Sequence, residues 1–131
     1  MEPKFVFHEP PRRYSKACIY GDFIFLAGED SKHPTTQKVQ GATVSEQAEY
    51  LFRNMKTTLE SLGSSLTSVI KTTVYLKDPR DRANYQEARA KYLPQTPPST
   101  LIMGVQLAEP EMLIEIDAIA VRPGADNAAH G

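Results

Sequence analysis

The chain holds one cysteine, Cys18, so no internal disulfide can form, and a reducing compartment suits it. Neither sign of charge is in excess: 15 Lys and Arg face 16 Asp and Glu, a formal net charge of -1. Such a balance cannot neutralise a phosphate backbone, so nucleic acid is not expected as a partner. No apolar run approaches the ~20 residues of a membrane helix. The start, Met1-Glu2-Pro3-Lys4, lacks the basic opening and apolar stretch of a secretory signal. Together these predict a cytoplasmic protein with no membrane partner. His8, His33 and His130 lack metal-ligand spacing, and no glycine-rich phosphate loop is present.

What remains is ordinary for a globular domain, 40% hydrophobic and 24% charged. A length of 131 residues predicts one domain spanning 1–131. Its first thirteen residues carry Pro3, Pro10 and Pro11 and read as an irregular or edge-strand lead-in. Residues 123–131 are small and polar, a tail expected to fray.

Between these ends the periodicities alternate. Ala17 to Gly28 holds two β-prone runs around Gly21-Asp22, which predicts a hairpin although Asp-Gly is the commoner order. Residues 31–41 read as a loop. Over 43–62, Ala48, Leu51, Phe52, Met55, Leu59 and Leu62 form one apolar helical face, with Thr43 or Ser45 to cap it and Gly63 to stop it. Val69 to Lys77 is β-branched and alternating, a strand. Asp78-Pro79 turns the chain into a second helix over 82–93, ended by Pro94, Pro97 and Pro98. Two strands follow, at 99–107 and 112–121.

The order β-β-α-β-α-β-β predicts an α+β fold, a mixed sheet with two helices on one face. The second helix allows a crossover that makes the strands around it parallel. In the last strand Ile114, Ile116, Ala118 and Ala120 share one face. Leu113, Glu115, Asp117, Ile119 and Val121 share the other. A strand apolar on both faces expects cover on both, which points to association through the sheet.

The motifs come in a recognisable series. Tyr14-Ser15-Lys16-Ala17 is followed by Gly21, then Phe25-Leu26-Ala27-Gly28; Glu46-Gln47 by Asn54-Met55; Gly63-Ser64-Ser65-Leu66 by Val69 through Asp78; and the series closes on Ile114 to Ala120. Over 14–122 this resembles the Rid (reactive intermediate deaminase, YjgF-like) family. The resemblance implies a chorismate-mutase-like fold and a homotrimer whose sheets form a central barrel. It places ligand clefts between subunits and requires no metal or organic cofactor. It also implies hydrolysis of enamines and imines to carbonyl compounds and ammonia, or of aminomuconates in aromatic breakdown.

By the same resemblance Glu115 holds or activates the attacking water, as suits a carboxylate general base, and Tyr14 stands at a matching position. The departures matter. Ser99 stands where the family has an arginine that grips the substrate carboxylate, and a neutral hydroxyl cannot replace a guanidinium. Ala27 replaces a pocket serine, Glu29 a common glutamine and Gln86 a common asparagine. Arg82 and Arg89, seven residues apart, share one side of the second helix. Facing the cleft, either could bind an anion; facing water, they would pair with Asp81 and Glu87. Arg12-Arg13 reads as an exposed basic pair. Backbone near Ser99, Thr100 and Leu101, with Tyr14, would position the ligand, and Phe25, Leu101 and Met103 would give an apolar edge. Glu29 beside Glu115 would make a pair of carboxyls with separable acid and base roles. Cys18 reads as inert packing.

The resulting expectation is a cofactor-independent enzyme cleaving a carbon–nitrogen bond in an amine-bearing small molecule, without the arginine clamp. The alternative is a non-catalytic trimer of the same fold that binds small molecules or protects other proteins.

Overall fold

The computed structural model describes residues 1–123; from residue 124 the expected tail, with His130, lies outside the described residues. The elements are β1 (Lys4–Val6), β2 (Ala17–Tyr20), β3 (Phe23–Leu26), α1 (Val44–Ser61), β4 (Val69–Leu76), α2 (Arg82–Tyr92), β5 (Ser99–Met103) and β6 (Ile114–Val121). They form one six-stranded sheet in the order β1-β2-β3-β6-β4-β5. β4 and β5 are parallel across α2, as the crossover predicts. Every other pair is antiparallel.

The sheet has one strand more than the sequence order implied. Lys4–Val6 pairs with Ile19, Cys18 and Ala17 on the free edge of β2. Pro3 precedes this three-residue strand and Pro10 follows it; proline is tolerated at an edge because fewer ladder bonds are required there. The last two strands are shorter than predicted. β5 stops at Met103, where Gly104 N–H bonds back to Leu76 O at 2.9 Å. β6 starts at Ile114 because Leu113 N–H donates to the Gln47 side chain at 2.8 Å.

Local chemistry explains the boundaries. Gly21 has φ +61° and begins the two-residue link from Tyr20 to Phe23. Glycine first is what a II′ turn needs, so the inverted Gly-Asp order is functional in the hairpin. α1 is capped by Thr43, whose hydroxyl accepts from Glu46 N–H while the Glu46 carboxylate accepts from Thr43 N–H. At the other end Gly63, φ +80°, donates to Glu60 O, and Ser64 donates to Leu59 O. These paired bonds close a Schellman motif.

Both helices cover one face. Leu51, Phe52, Met55 and Leu59 of α1 and Tyr85 and Ala88 of α2 are buried with Ile24, Val74, Ile114, Ile116 and Ala120 of the sheet. Gln47 is 1% exposed and fully used: its Nε2 donates to Gly41 O and Glu111 O and its Oε1 accepts from Leu113 N–H. It therefore ties α1 to the chain entering β6. Among the described residues nothing covers the opposite face. Phe23 is 45% and Phe25 42% exposed there, beside Tyr20 and the half-buried Ile119 and Val121. A contiguous apolar sheet face of this kind is the mark of an association surface.

Candidate functional site

A cavity of about 390 Å³ lies at the end of the β3–β6 pair, a size suited to a small metabolite. Three parts of the chain supply most of its lining, with Ala108 and Glu115 completing it. One is the strap 7–16 that links β1 to β2; the second is the segment 27–37 after β3; the third is Asn54, Thr57 and Thr58 on α1. Glu115 enters from β6.

The two glutamates owe their places to one backbone contact. Beyond β3, Glu29 N–H donates to Ile116 O at 2.7 Å and Ile116 N–H to Glu29 O at 3.0 Å. This pair extends the β3–β6 ladder and fixes Glu29 opposite Ile116. Alternation along β6 then turns Glu115 away from the helices. Its carboxylate lies against Gly28: a Cβ there would stand 2.7 Å from Glu115 Cδ and 3.0 Å from each oxygen. Asn54 steadies the same segment, donating to Asp30 O and Lys32 O at 3.0 Å each. Across the opening, Arg12 donates to the Gln37 side chain and joins the strap to the loop after β3. Tyr14 packs edge-on to His8, ring centroids 5.4 Å apart.

The cavity changes the acidity of its groups. Burial pushes Glu29 up to about 7, opposed by the neighbouring Thr58 hydroxyl and the charge of Lys16. Burial also raises Glu115, reinforced by the negative charges of Asp30 and Asp117 and opposed by Lys32. Burial, with the charges of Arg12 and Lys16, lowers His8. Both carboxyls of the cavity thus hold their protons more firmly than free carboxylates do, Glu29 chiefly through burial and Glu115 through burial and its acidic neighbours.

Of the residues read from the sequence, Tyr14, Glu29 and Glu115 meet here. Ser99, Thr100, Leu101, Gln86, Arg82 and Arg89 do not line this cavity within their own chain. Arg89 is turned to internal bonds. Its Nη1 donates to Thr72 Oγ1 at 2.8 Å, Tyr85 OH at 3.0 Å and Ser99 Oγ at 3.3 Å, and its Nη2 to Pro97 O at 2.6 Å. It clamps α2 to the entry of β5, a third outcome beside cleft and solvent. Thr100 Oγ1 accepts from Lys71 Nζ at 3.0 Å. Leu101 packs against the core, and Arg82 and Gln86 are exposed on α2. Phe25 lies on the open sheet face, and the cavity's apolar lining comes instead from Phe7, Ala27, Pro34 and Ala108.

The cations that do line it are Arg12, Lys16 and Lys32. Lys32 is engaged, 3.9 Å from Asp30 and 3.6 Å from Glu109. Lys16 follows Tyr14 by two positions, and that alternation was the sequence signal that could have singled it out. Among the described residues no cluster of His, Cys, Asp and Glu has metal-holding geometry, and no helix is long and apolar enough to cross a membrane.

Comparison with known proteins places this geometry. The family model described as Endoribonuclease L-PSP matches residues 7–122. A RutC family protein of Pyrococcus horikoshii is 37% identical over 114 residues, covering 87% of this chain and 90% of that protein. The chloroplastic Reactive Intermediate Deaminase A of Arabidopsis thaliana is 34% identical over 107 residues, covering 82% of this chain and 57% of that longer protein. A crystal structure of a YjgF family member from Neisseria meningitidis superposes with a TM-score of 0.82 at 26% identity, covering 95% of this chain and 98% of that one.

Proposed function

Since the chain belongs to the Endoribonuclease L-PSP family, the Rid/YjgF group, we propose that it hydrolyses a carbon–nitrogen bond in an imine or enamine held in the Glu115 cavity. The observation that carries this reading is the Glu115 carboxylate, set on Gly28 and facing a metabolite-sized hollow. The carboxylate accepts a hydrogen bond from water and takes its proton as the oxygen attacks the C=N carbon. The carbinolamine so formed expels ammonia and leaves a carbonyl. An aminomuconate-like compound fits the same chemistry. An RNA substrate is disfavoured, because a net charge of -1 gives phosphates no general attraction.

The working unit in this reading is a homotrimer associated through the open sheet face of Phe23, Phe25, Ile119 and Val121. Ser99, Thr100, Gln86 and Arg82 then act only through the cavity of a neighbouring subunit, while Arg89 and Leu101 stay engaged within their own. Light scattering should return the mass of three chains.

The test of the reaction is ammonia release from freshly generated 2-iminobutyrate and a panel of imines and aminomuconate-like compounds. Acceleration over buffer is expected for at least one of them. If none is accelerated while the same compounds raise the melting temperature, the chain is a ligand-binding trimer instead.

Lys16 supplies the cationic handle for a substrate carboxylate that Ser99 cannot. Lys16→Ala should raise KM for a carboxylate-bearing substrate about tenfold, the size of one charge-assisted hydrogen bond, with kcat less affected. Steady-state kinetics on a substrate with and without the carboxylate checks this.

A further inference from the structure

We propose that His8 is a ligand-binding residue of this cavity, and that with Arg12 and Lys16 it seats a carboxylate of the ligand on the strap rather than beside Ser99. This seat presumes the reading of the cavity as the place where a small molecule is held; it does not depend on which bond is broken there.

An unmet hydrogen bond points to the ligand. His8 lines the cavity, and its Nε2 is closed off from solvent without a hydrogen-bond partner among the described residues. A polar atom buried in this way is uncommon, and in a cavity wall it falls to a ligand atom to complete the bond. Ser31 Oγ is the other such atom among the described residues, and Ser31 does not line the cavity. Packing does not call for the nitrogen. The His8 ring meets Tyr14 edge-on, a contact that a phenyl ring makes equally well. Tyr14 is 58% exposed, so a swing of its phenol opens the imidazole to an incoming molecule.

The surrounding charges name the group that binds. Arg12 and Lys16 share the strap with His8 and line the same cavity. Among the described residues neither lies within ion-pair distance of a carboxylate, whereas Lys32 is paired twice. Arg12 uses a donor on the neutral Gln37 side chain, which leaves other guanidinium N–H groups to offer. Lys16 is fixed at the foot of the strap: its N–H donates to Val6 O at 2.7 Å and its carbonyl accepts from Ala27 N–H at 3.1 Å. Burial first, then the charges of Arg12 and Lys16, weaken the hold of His8 on a second proton. The ring therefore meets an anion as a neutral donor through Nε2–H. Glu9 is the strap's one acid on this wall and is exposed, so the strap end stays net positive. The other acids of the lining, Glu29, Asp30 and Glu115, come from the segment after β3 and from β6. That polarity suits a ligand with a carboxylate at one end and a nitrogen-bearing carbon at the other, its oxygens toward the strap and its nitrogen toward Glu115.

The experiment measures binding by calorimetry with two stable probes, 2-oxobutyrate and its neutral amide, 2-oxobutanamide. It compares wild type, His8→Phe and His8→Gln. Phenylalanine keeps the edge contact with Tyr14 and removes the nitrogen, while glutamine keeps an N–H donor. Wild type should bind the acid at least about tenfold more tightly than the amide. His8→Phe should bind the acid about tenfold more weakly, the size of one charge-assisted hydrogen bond, and the amide within about twofold of wild type. His8→Gln should recover part of the loss. The melting temperature of His8→Phe should equal or exceed that of wild type, because an unmet polar atom has gone. Unchanged affinity for the acid in His8→Phe overturns the proposal, and so does an equal loss for both probes, which marks a packing role. Wild type that binds neither probe overturns the seat and the reading of the cavity together. Wild type that binds the acid yet releases no ammonia from 2-iminobutyrate leaves the seat in place and removes the hydrolase.

Discussion

Glu115→Gln is expected to lower kcat for imine hydrolysis by about 10²–10⁴-fold, the range lost with a general base. The amide keeps the shape that packs on Gly28, so binding should survive and KM should change little. It cannot take a proton from water. Stability should be unchanged or slightly higher, because burial and the charges of Asp30 and Asp117 already oppose the Glu115 carboxylate. The sign of the pH dependence follows. Glu115 works as its deprotonated form, so wild-type activity falls as pH drops through a value above the ordinary carboxylate range. Kinetics with a thermal melt of the same samples separates lost chemistry from lost fold. Unchanged kcat would remove Glu115 from the reaction.

Gly28→Ala should approach that effect without touching a charged group. The added methyl would stand 2.7 Å from Glu115 Cδ, where ordinary carbon contacts are about 3.5–4.0 Å. The obstacle is the far end of a side chain, so the carboxylate swings aside and the backbone stays. A displacement of about 1 Å in a reacting group costs up to about 10²-fold in rate. We therefore expect a fall of that order in kcat with a melting temperature close to wild type. The double variant Gly28→Ala/Glu115→Gln should be no slower than Glu115→Gln, since both changes remove the same positioned base. Additive losses would show that Gly28 serves some other purpose.

Much of this was legible in the residues. The apolar face of α1 and its Gly63 stop obey local rules and stand as read, and of the two caps the sequence offered, Thr43 and Ser45, the structure uses Thr43. The parallel pairing of β4 and β5 followed from the length of helix between them. β1 escaped the strand count because three residues at an edge, with prolines around them, carry almost no periodic signal. At the site, Glu115 and Glu29 stood out through the family resemblance, Glu115 at a matching position and Glu29 where glutamine is common, with the otherwise apolar strand around Glu115 adding a physical reason for it alone. Arg89 shows the limit of that kind of reasoning. Its helical side could be read, but its partners Thr72, Ser99 and the Pro97 carbonyl belong to other elements. Lys16, one of the cavity's cations, sits on a strap whose path depends on that edge strand, which the prolines allowed only as one of two readings.

The position of β6 has a bearing on biosynthesis. It is the last strand among the described residues, yet it occupies the middle of the sheet between β3 and β4. While a ribosome is still making it, the hairpin of β2 and β3 and the β4–α2–β5 unit have no strand in common. Their apolar surfaces wait for Ile114 to Val121 to emerge, a non-local closure of the slow kind. A nascent chain cut short before that point is missing the piece that unites its two halves, so premature termination should yield aggregation-prone fragments rather than a smaller native domain.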